Sequence, residues 1–296
     1  MKQGVTLIAV GNDAYLRWAV NMAASIRYHS PDIKIQLITS EDLAAKAESK
    51  WFDIVTVADK DLYTDTDGRF FPAKLKTGLY NLLCFYETVY LDVDGCVVKD
   101  ISPLFNSNAD FGCEIQGIYT IDQGAEFKHM KWARPGVVWE HYGLKPTDKL
   151  PAINSSYMFI RKSERASAIF AKAYDLLMNN PLPVEKQWLT WGKPSSSKNI
   201  QPDELYLNIA CTMLGTMPDH QRPLYFRTII DKFESLSLEK LLEEWYGVGL
   251  FGNYDTNHVT VKEAYDRQMF ECFEKLTGSG AHIKATVLGR QKFVST

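Results

Sequence analysis

Apolar and polar residues follow two alternating patterns along the first third of the chain. Residues 5–10 predict a buried strand and residues 33–39 predict a second strand, and residues 14–28 between them carry apolar side chains at helical spacing. A further short helix and strand, up to residues 51–57, continue the alternation. This order predicts a mostly parallel sheet with right-handed crossovers, in which ligands bind at the carboxyl ends of the strands.

Regular patterns return in the second half of the chain. Residues 152–160 predict a strand, and residues 163–165 open a helix. The apolar face predicted for this helix consists of Ala166, Ile169, Phe170, Ala173 and Leu177. Residues 115–151 are instead rich in Gly, His, Trp and Tyr without clean periodicity, which predicts long functional loops. Residues 181–202 have the composition of a linker.

Length and composition favour one globular domain. A chain of 296 residues forms one large α/β domain or two small ones, and we expect one. The formal charge of −3 gives no global basic field for a nucleic-acid or membrane partner. The five cysteines are scattered without a Cys-x-x-Cys pair, which favours a reducing compartment. No run reaches the roughly 20 apolar residues of a membrane span, so we expect a soluble, cytoplasmic protein.

Two carboxylates end a strongly apolar strand, in the run Val89-Tyr90-Leu91-Asp92-Val93-Asp94. Because side chains on a strand alternate between faces, Asp92 and Asp94 are expected on the same side. Neighbouring carboxylates repel unless a cation lies between them, and hard oxygen ligands suit Mn²⁺ or Mg²⁺. The alternative is that these residues only form the turn after the strand. A bare Asp-x-Asp does not decide between the two.

The segments on either side of these carboxylates add to the pattern. A lysine-containing helix pattern precedes the strand, and Lys99-Asp100-Ile101-Ser102-Pro103-Leu104-Phe105 follows it. In this order the chain resembles the nucleotide-diphospho-sugar transferases of the GT-A fold, in particular the family 8 type that includes glycogenin and bacterial lipopolysaccharide galactosyltransferases. The resemblance covers about residues 5–215.

The resemblance implies a fold and a domain organisation. The fold is α/β of the GT-A kind, a Rossmann-like mostly parallel sheet flanked by helices, with a smaller mixed region on the acceptor side. One domain would cover residues 1–296. Residues 1–110 would form its nucleotide-sugar-binding half, and residues 111–296 would form the acceptor-side half with the C-terminal helices.

The resemblance also assigns the loop after the first strand to the base and ribose, commonly of a uridine nucleotide. Tyr15 is then the candidate for stacking on uracil, and Val10, Asn12 and Asp13 are further candidate contacts. The alternative is that Asp13 caps the helix and Tyr15 packs on its neighbour. No Gly-x-Gly-x-x-Gly or Walker pattern occurs, which disfavours a dinucleotide enzyme or a P-loop kinase.

Metal and phosphate roles follow from the same resemblance. Asp92 and Asp94 would hold Mn²⁺ or Mg²⁺, and Asp92 and Val93 would contact the nucleotide sugar. Lys76 lies where a basic residue of the glycogenin-like proteins reaches the sugar nucleotide, and it is preferred to Lys74. An ordinary solvated lysine is the alternative for either residue.

Two later segments resemble the sugar site of the family. Asn154 begins one of them, followed by Ser155-Ser156 where Ala-Gly is usual. Residues 203–208 resemble Asp-Gln-x-x-x-Asn at a helix start, with Glu204 in the place of the glutamine. A carboxylate there could stabilise an oxocarbenium-like transition state or act as a nucleophile; the alternative is a helix N-terminal carboxylate stabilised by the macrodipole. Asp203, Glu204 and Asn154 are therefore the catalytic candidates.

The C-terminal motif of family 8, His-x-x-Gly-x-x-Lys-Pro-Trp, is missing. Two segments are imperfect echoes of it, residues 257–262 and residues 288–293. The first is preferred, with His258 as a third metal ligand and Lys262 as a diphosphate contact. His282 is the reserve, although a lone histidine is more often structural.

These implications combine into an expected function. The resemblance implies a metal-dependent glycosyltransferase that uses a nucleotide-diphosphate sugar, with a UDP-sugar as the expected donor and retention of anomeric configuration. A glycan or small molecule is the expected acceptor, and modified DNA stays open. The alternatives are a sugar nucleotidyltransferase, which usually has a Gly-rich basic loop after the first strand, and a non-catalytic carbohydrate-binding protein on the same fold. The sequence does not indicate an oligomeric state.

Overall fold

The computed structural model of the protein describes residues 1–120, 132–133, 135–183, 186, 188–190, 193–194, 202–221, 225–226, 245–250 and 259–278. The helices are α1 (Asp13–His29), α2 (Glu41–Ala44), α3 (Pro72–Thr77), α4 (Pro135–Tyr142), α5 (Glu164–Asn179), α6 (Asp203–Met213) and α7 (Val259–Thr277). The strands are β1 (Gln3–Ala9), β2 (Ile35–Thr39), β3 (Ile54–Val57), β4 (Glu87–Leu91), β5 (Gly95–Val97), β6 (Phe111–Tyr119), β7 (Leu150–Arg161), β8 (Trp188–Thr190), β9 (Lys193–Pro194), β10 (Asp219–His220), β11 (Tyr225–Phe226) and β12 (Gly247–Gly249).

Seven of these strands form one sheet in the order β10-β6-β7-β4-β1-β2-β3. β1, β2 and β3 are parallel neighbours, and β10 is parallel to β6. β6 and β7 form the antiparallel pair of the sheet, with two register shifts along it. The predicted α/β fold with a mostly parallel sheet is therefore confirmed.

The chain divides into two compact units built from interleaved segments. The first unit contains residues 1–57, 89–107 and 223–296, and the second contains residues 58–88 and 108–222. The sequence analysis expected two continuous halves instead. The assignment of the whole chain to a single glycosyltransferase domain stays a prediction.

In the first unit, helix α1 packs on β1, β5 and α7. It confirms the helix predicted over residues 14–28, and its buried face includes Leu16, Ala19, Met22 and Ile26 at helical spacing. From the same helix, Asn21 Nδ2 donates a hydrogen bond to the hydroxyl of Tyr265 on α7 at 2.9 Å. Because Tyr265 is fully buried, this bond fixes the position of α7 on the unit.

Helix α7 is the longest described helix, with 19 residues. Its buried residues recur at helical spacing and its exposed residues lie between them, which is typical of a helix that packs one face on a globular unit. Within the part of the chain that the structure describes, no helix is both long and apolar enough to cross a membrane.

In the second unit, α5 and α6 pack against each other, and α6 packs on β7. β7 is buried along its whole length except at its last residue. Helix α5 begins at the predicted place, since Ser163 Oγ caps it by accepting a hydrogen bond from Ala166 N at 3.2 Å. All five apolar residues predicted for its inner face are buried.

The prediction that residues 115–151 form long loops is wrong in part. β6 extends to Tyr119, α4 covers Pro135–Tyr142, and the end of the segment belongs to β7. Trp139 is 2% exposed and donates its indole N–H to the carbonyl of Lys145 at 2.8 Å. Bulky aromatic side chains fill this core without a regular period, so the sequence pattern did not reveal it.

A buried ion pair connects the end of β7 to the start of β4 within the second unit. Arg161 donates from Nε and Nη2 to Glu87 Oε1 at 3.2 and 3.1 Å, and from Nη1 to the carbonyl of Asn108 at 3.0 Å. The two side chains are only 19% and 10% exposed. Removing one partner therefore leaves a charge that water solvates poorly.

We expect Arg161→Ala to lower the free energy of unfolding by about 3 kcal/mol, because the largely buried carboxylate of Glu87 loses its guanidinium partner. Arg267→Ala is the matched control, since Arg267 pairs with Glu271 on an exposed face of α7, where the side chains are 54% and 44% exposed. Its cost should be about 0.5 kcal/mol or less. Urea unfolding measures both, and equal losses would contradict this account.

Candidate functional site

Asp92 and Asp94 lie in the turn between β4 and β5. β4 ends at Leu91 and β5 begins at Gly95, so neither residue is on an extended strand. The expectation that strand alternation places both side chains on one side is therefore wrong in its reason, because alternation holds only while the chain is extended. The turn nevertheless follows the carboxyl end of β4, which is the neighbour of β1 in the sheet.

Protein groups hold this turn in place from two directions. The hydroxyl of Tyr90, a residue that is 3% exposed, donates to Asp92 Oδ1 at 2.6 Å. The backbone N–H of Leu250 donates to the carbonyl of Asp94 at 2.7 Å. The carboxylate of Asp92 is thus oriented by a buried donor, and the backbone of Asp94 is fixed by the segment after β12.

Tyr15, in the first turn of α1, lies within electrostatic reach of these carboxylates. Burial raises the pKa of Tyr15, and the negative charges of Asp94 and Asp92 raise it further. The structure therefore brings together the loop after β1 and the turn after β4, as the sequence analysis expected for the carboxyl ends of neighbouring strands. Val10 and Val93 are 2% and 7% exposed, so their contribution here is mainly packing and backbone groups.

Asn12 caps helix α1. Its Oδ1 accepts hydrogen bonds from Ala14 N at 2.9 Å and Tyr15 N at 3.4 Å. Asp13 is the first helical residue, and its carboxylate pairs with Lys46 Nζ at 2.7 Å. The alternative in which Asp13 is the cap is therefore wrong, and Asn12 fixes the start of the helix that carries Tyr15.

In the second unit, Asp203 and Glu204 form the first turn of α6. Ser155 on β7 contacts both carboxylates: its Oγ donates to Asp203 Oδ2 at 2.6 Å, and its backbone N–H donates to Glu204 Oε1 at 3.2 Å. Lys76 Nζ lies 3.5 Å from Asp203 Oδ2, with a side chain only 13% exposed. The alternative of a solvated Lys76 is therefore wrong. Lys74 instead donates to the carbonyl of Thr64 at 3.4 Å.

Glu204 has a second donor. The indole N–H of Trp132 donates to Glu204 Oε2, and Glu204 is 5% exposed. Asn208, one turn later on α6, lies on the same helix face as Glu204, and its Oδ1 accepts a hydrogen bond from Ile153 N at 3.0 Å. This face of α6 therefore satisfies backbone donors of β7 with side-chain oxygens.

Asn154 has hydrogen-bond partners at both ends of its amide. Its Nδ2 donates to Glu114 Oε2 at 2.6 Å, and its Oδ1 accepts from the backbone N–H and hydroxyl of Ser156 at 3.1 and 2.9 Å. At 2% exposed, Asn154 has little surface for a ligand. This arrangement favours a role in shaping this part of β7 over direct contact with a ligand.

The sequence analysis assigned no role to four residues of these clusters: Tyr90, Glu114, Trp132 and Ser155. Tyr90 carried a usable signal, because it lies two residues before Asp92 at the end of the same strand. Trp132 belongs to the aromatic-rich segment, where no periodicity singles it out. Glu114 and Ser155 act through pairing between β6 and β7 and between β7 and α6, which the sequence does not show.

The predicted C-terminal residues are only partly described. Lys262 lies half-buried on α7. His258, His282 and residues 288–293 lie outside the described residues. Among the residues that are described, no group of three or more His, Cys, Asp or Glu side chains is placed to hold a metal ion. Asp92 and Asp94 lie in one turn. The prediction that they hold a metal ion together with His258 stays a prediction.

Replacing both Asp92 and Asp94 with Asn should lower the pKa of Tyr15, because two nearby negative charges are removed. The pKa should stay above its ordinary value, since burial is the larger cause. Tyrosine ¹³Cζ NMR titration, assigned with Tyr15→Phe, measures the change. Tyr119 is an internal control, because burial alone raises its pKa. A Tyr15 signal that moves no more than that of Tyr119 would refute the proximity of these groups.

No protein-family model matches the chain, and no match was found among curated proteins. Solved structures are similar. The galactosyltransferase LgtC, in complex with donor and acceptor sugar analogues, has a TM-score of 0.56 at 12% identity, over 95% of this chain and 99% of LgtC. The glycosyltransferase GlyE of Streptococcus pneumoniae has a TM-score of 0.53 at 13% identity, over 95% of this chain and 63% of GlyE. The bifunctional glycosyltransferase WbbM has a TM-score of 0.54 at 11% identity, over 96% of this chain and 51% of WbbM. The chain therefore has the GT-A glycosyltransferase fold that the sequence analysis predicted.

Proposed function

We propose that this protein is a metal-dependent glycosyltransferase that moves a sugar from a nucleotide-diphosphate sugar, expected to be a UDP-sugar, to an acceptor. The observation that carries the proposal is the meeting of Tyr15, after β1, with Asp92 and Asp94, after β4. An aromatic ring beside paired carboxylates at neighbouring strand ends suits a base and a cation-bound diphosphate. The GT-A fold supports the same assignment.

The carboxylates fit a divalent cation by their chemistry. Two hard oxygen ligands in a turn, one of them oriented by Tyr90, suit Mn²⁺ or Mg²⁺ and leave coordination positions for water and phosphate oxygens. Such a cation supplies charge stabilisation for the leaving nucleotide diphosphate. Asp92 and Asp94 are the proposed ligands, with His258 as the third.

The proposal also assigns contacts with the nucleotide. Tyr15 would stack on the uracil, and its raised pKa keeps the phenol neutral, so the ring adds no charge that repels the diphosphate. Val10, Asn12 and Val93 are the proposed contacts to base, ribose and diphosphate. Lys76 and Lys262 would add positive charge, although Asp203 offsets part of the charge of Lys76.

The sugar-side roles are assigned to Asp203, Glu204 and Asn154. Glu204 would face the sugar as a carboxylate and Asp203 would orient Lys76, while Asn154 would shape the part of β7 that carries Ser155. A structure similar to this chain is an LgtC variant with a glutamine-to-glutamate substitution in its active site, at a TM-score of 0.54. The fold thus accommodates a carboxylate at an active-site position. Retention of configuration, and a glycan or small molecule as acceptor, complete the proposal.

Asp94→Asn should reduce Mn²⁺-dependent release of nucleotide from the donor by about 100-fold or more, since a cation ligand is lost. The assay uses a panel of nucleotide sugars without acceptor and follows free nucleotide. Asp32→Asn is the matched control, because Asp32 is exposed at a turn after α1. Equal rates in the unmodified chain, Asp94→Asn and Asp32→Asn would contradict the assignment of Asp94 as a metal ligand. Nucleotide-sugar binding without turnover in the unmodified chain would favour the binding-protein alternative.

Tyr90→Phe should raise the Mn²⁺ concentration for half-maximal activity by about 10-fold, because Asp92 loses its orienting donor. Tyr142→Phe is the control: the hydroxyl of Tyr142 donates to the carbonyl of Asn180 at 3.0 Å, away from the turn. The Mn²⁺ dependence of nucleotide release distinguishes the two variants. An unchanged midpoint in Tyr90→Phe would show that the hydroxyl does not tune the site.

A further inference from the structure

Each carboxylate oxygen of Glu204 receives a different N–H donor. Oε1 accepts from the backbone N–H of Ser155 at 3.2 Å, and Oε2 accepts from the indole N–H of Trp132. Neither donor can accept a hydrogen bond in return. The second unit therefore surrounds this side chain with groups that match two oxygens.

This environment discriminates between glutamate and glutamine. A glutamine has one acceptor oxygen and one NH₂ group, so its NH₂ would face the N–H of either Trp132 or Ser155. Where two donors point at each other, the hydrogen bond that a carboxylate oxygen would accept is lost, which is unfavourable. Glu204, in the place where the resembling family has glutamine, is thus accompanied by a second donor that only a carboxylate can use.

The charged groups around Glu204 make these donors more important. Asp203 precedes it on α6 and pairs with Lys76 of α3. Cys113 of β6 reports on the charges in this region. Burial and Cys211 of α6 are the larger causes of its raised pKa, and the charges of Glu114 and Glu204 raise it further. Asp203 and Glu114 disfavour a negative charge at Glu204, whereas Lys76, Trp132 and Ser155 favour it.

We infer that Trp132 is a positioning residue that holds Glu204 ionised and in one orientation, so that Glu204 meets the donor sugar as a carboxylate and not as an acid. The contact of Glu204 with a donor sugar rests on the proposed function, whereas the pairing of Trp132 with Glu204 does not. Removing the indole N–H should make Glu204 protonate at a higher pH, because a hydrogen bond to the charged form is lost.

The test compares Trp132→Phe with Trp139→Phe. Each variant removes one indole N–H and keeps an aromatic ring, but Trp139 donates to the carbonyl of Lys145. The titration of the Glu204 side-chain carboxyl is followed by ¹³C NMR, assigned with Glu204→Gln, and needs no substrate. The midpoint should rise by about one pH unit in Trp132→Phe and stay in place in Trp139→Phe.

The second readout is the pH profile of nucleotide release. The acidic limb should move upward by the same amount in Trp132→Phe only, since a structural loss of packing would lower the rate without moving the limb. An NMR shift in a protein that releases no nucleotide from any donor would retain the pairing and overturn the proposed function. If Trp132→Phe is active but neither its acidic limb nor the titration midpoint of Glu204 moves, the role of Trp132 is overturned.

A combination of variants covers the case in which Trp132→Phe does not fold. Glu204→Gln should destabilise the unmodified chain more than it destabilises a chain with Trp132→His, because the conflict of two donors is relieved when the imidazole offers an acceptor nitrogen. Thermal unfolding of the four proteins measures this coupling. Additive losses would count against the pairing, and a coupling in the stated direction would support it.

Discussion

Two adjacent carboxylates at the start of α6, of which Glu204 is buried and Asp203 is largely covered, are the constraint on which the second unit depends. Asp203 and Glu204 both lie in a helix first turn, where the helix dipole favours negative charge, but Glu204 has almost no contact with water. Buried carboxylates are tolerated only when they are paired or hydrogen-bonded. Ser155 serves both residues, Lys76 serves the first and Trp132 serves the second. The positions of α3, β7 and α6 are thereby tied to one set of charges.

The first unit also contains two neighbouring carboxylates, Asp92 and Asp94, in the turn after β4. Asp92 and Asp94 follow β4 directly, and Tyr15 follows β1. The two carboxylates therefore lie near the buried phenol of Tyr15 and raise its pKa. Tyr90 and the backbone of Leu250 stabilise the turn. A divalent cation would reverse the sign of the local field, which is the physical basis for placing metal chemistry here.

Some expectations failed because the sequence rule was applied beyond its range. Strand alternation was extended to Asp92 and Asp94 although the strand ends at Leu91, and only the pairing of β5 with β12 shows where the chain turns. The segment around Trp139 resembled a loop because α4 has only eight residues, too few to show a clear helical period. Asn12 and Asp13 are both good helix caps, and the choice between them depends on backbone angles that composition does not reveal.

The sequence by itself determined the local elements of this protein. Apolar runs marked β1, β2 and β7, helical spacing marked α1 and α5, and the order of the motifs was sufficient to predict the GT-A fold and to single out Asp92, Lys76 and Glu204. Only the tertiary structure decided what those side chains contact. Trp132 and Ser155 are 72 and 49 positions from Glu204 along the chain, and Lys76 is far from Asp203. Hydrogen bonds and charge pairing act over a few ångströms of space and leave no period in the sequence, so the partners of each buried charge become visible only when the chain is folded.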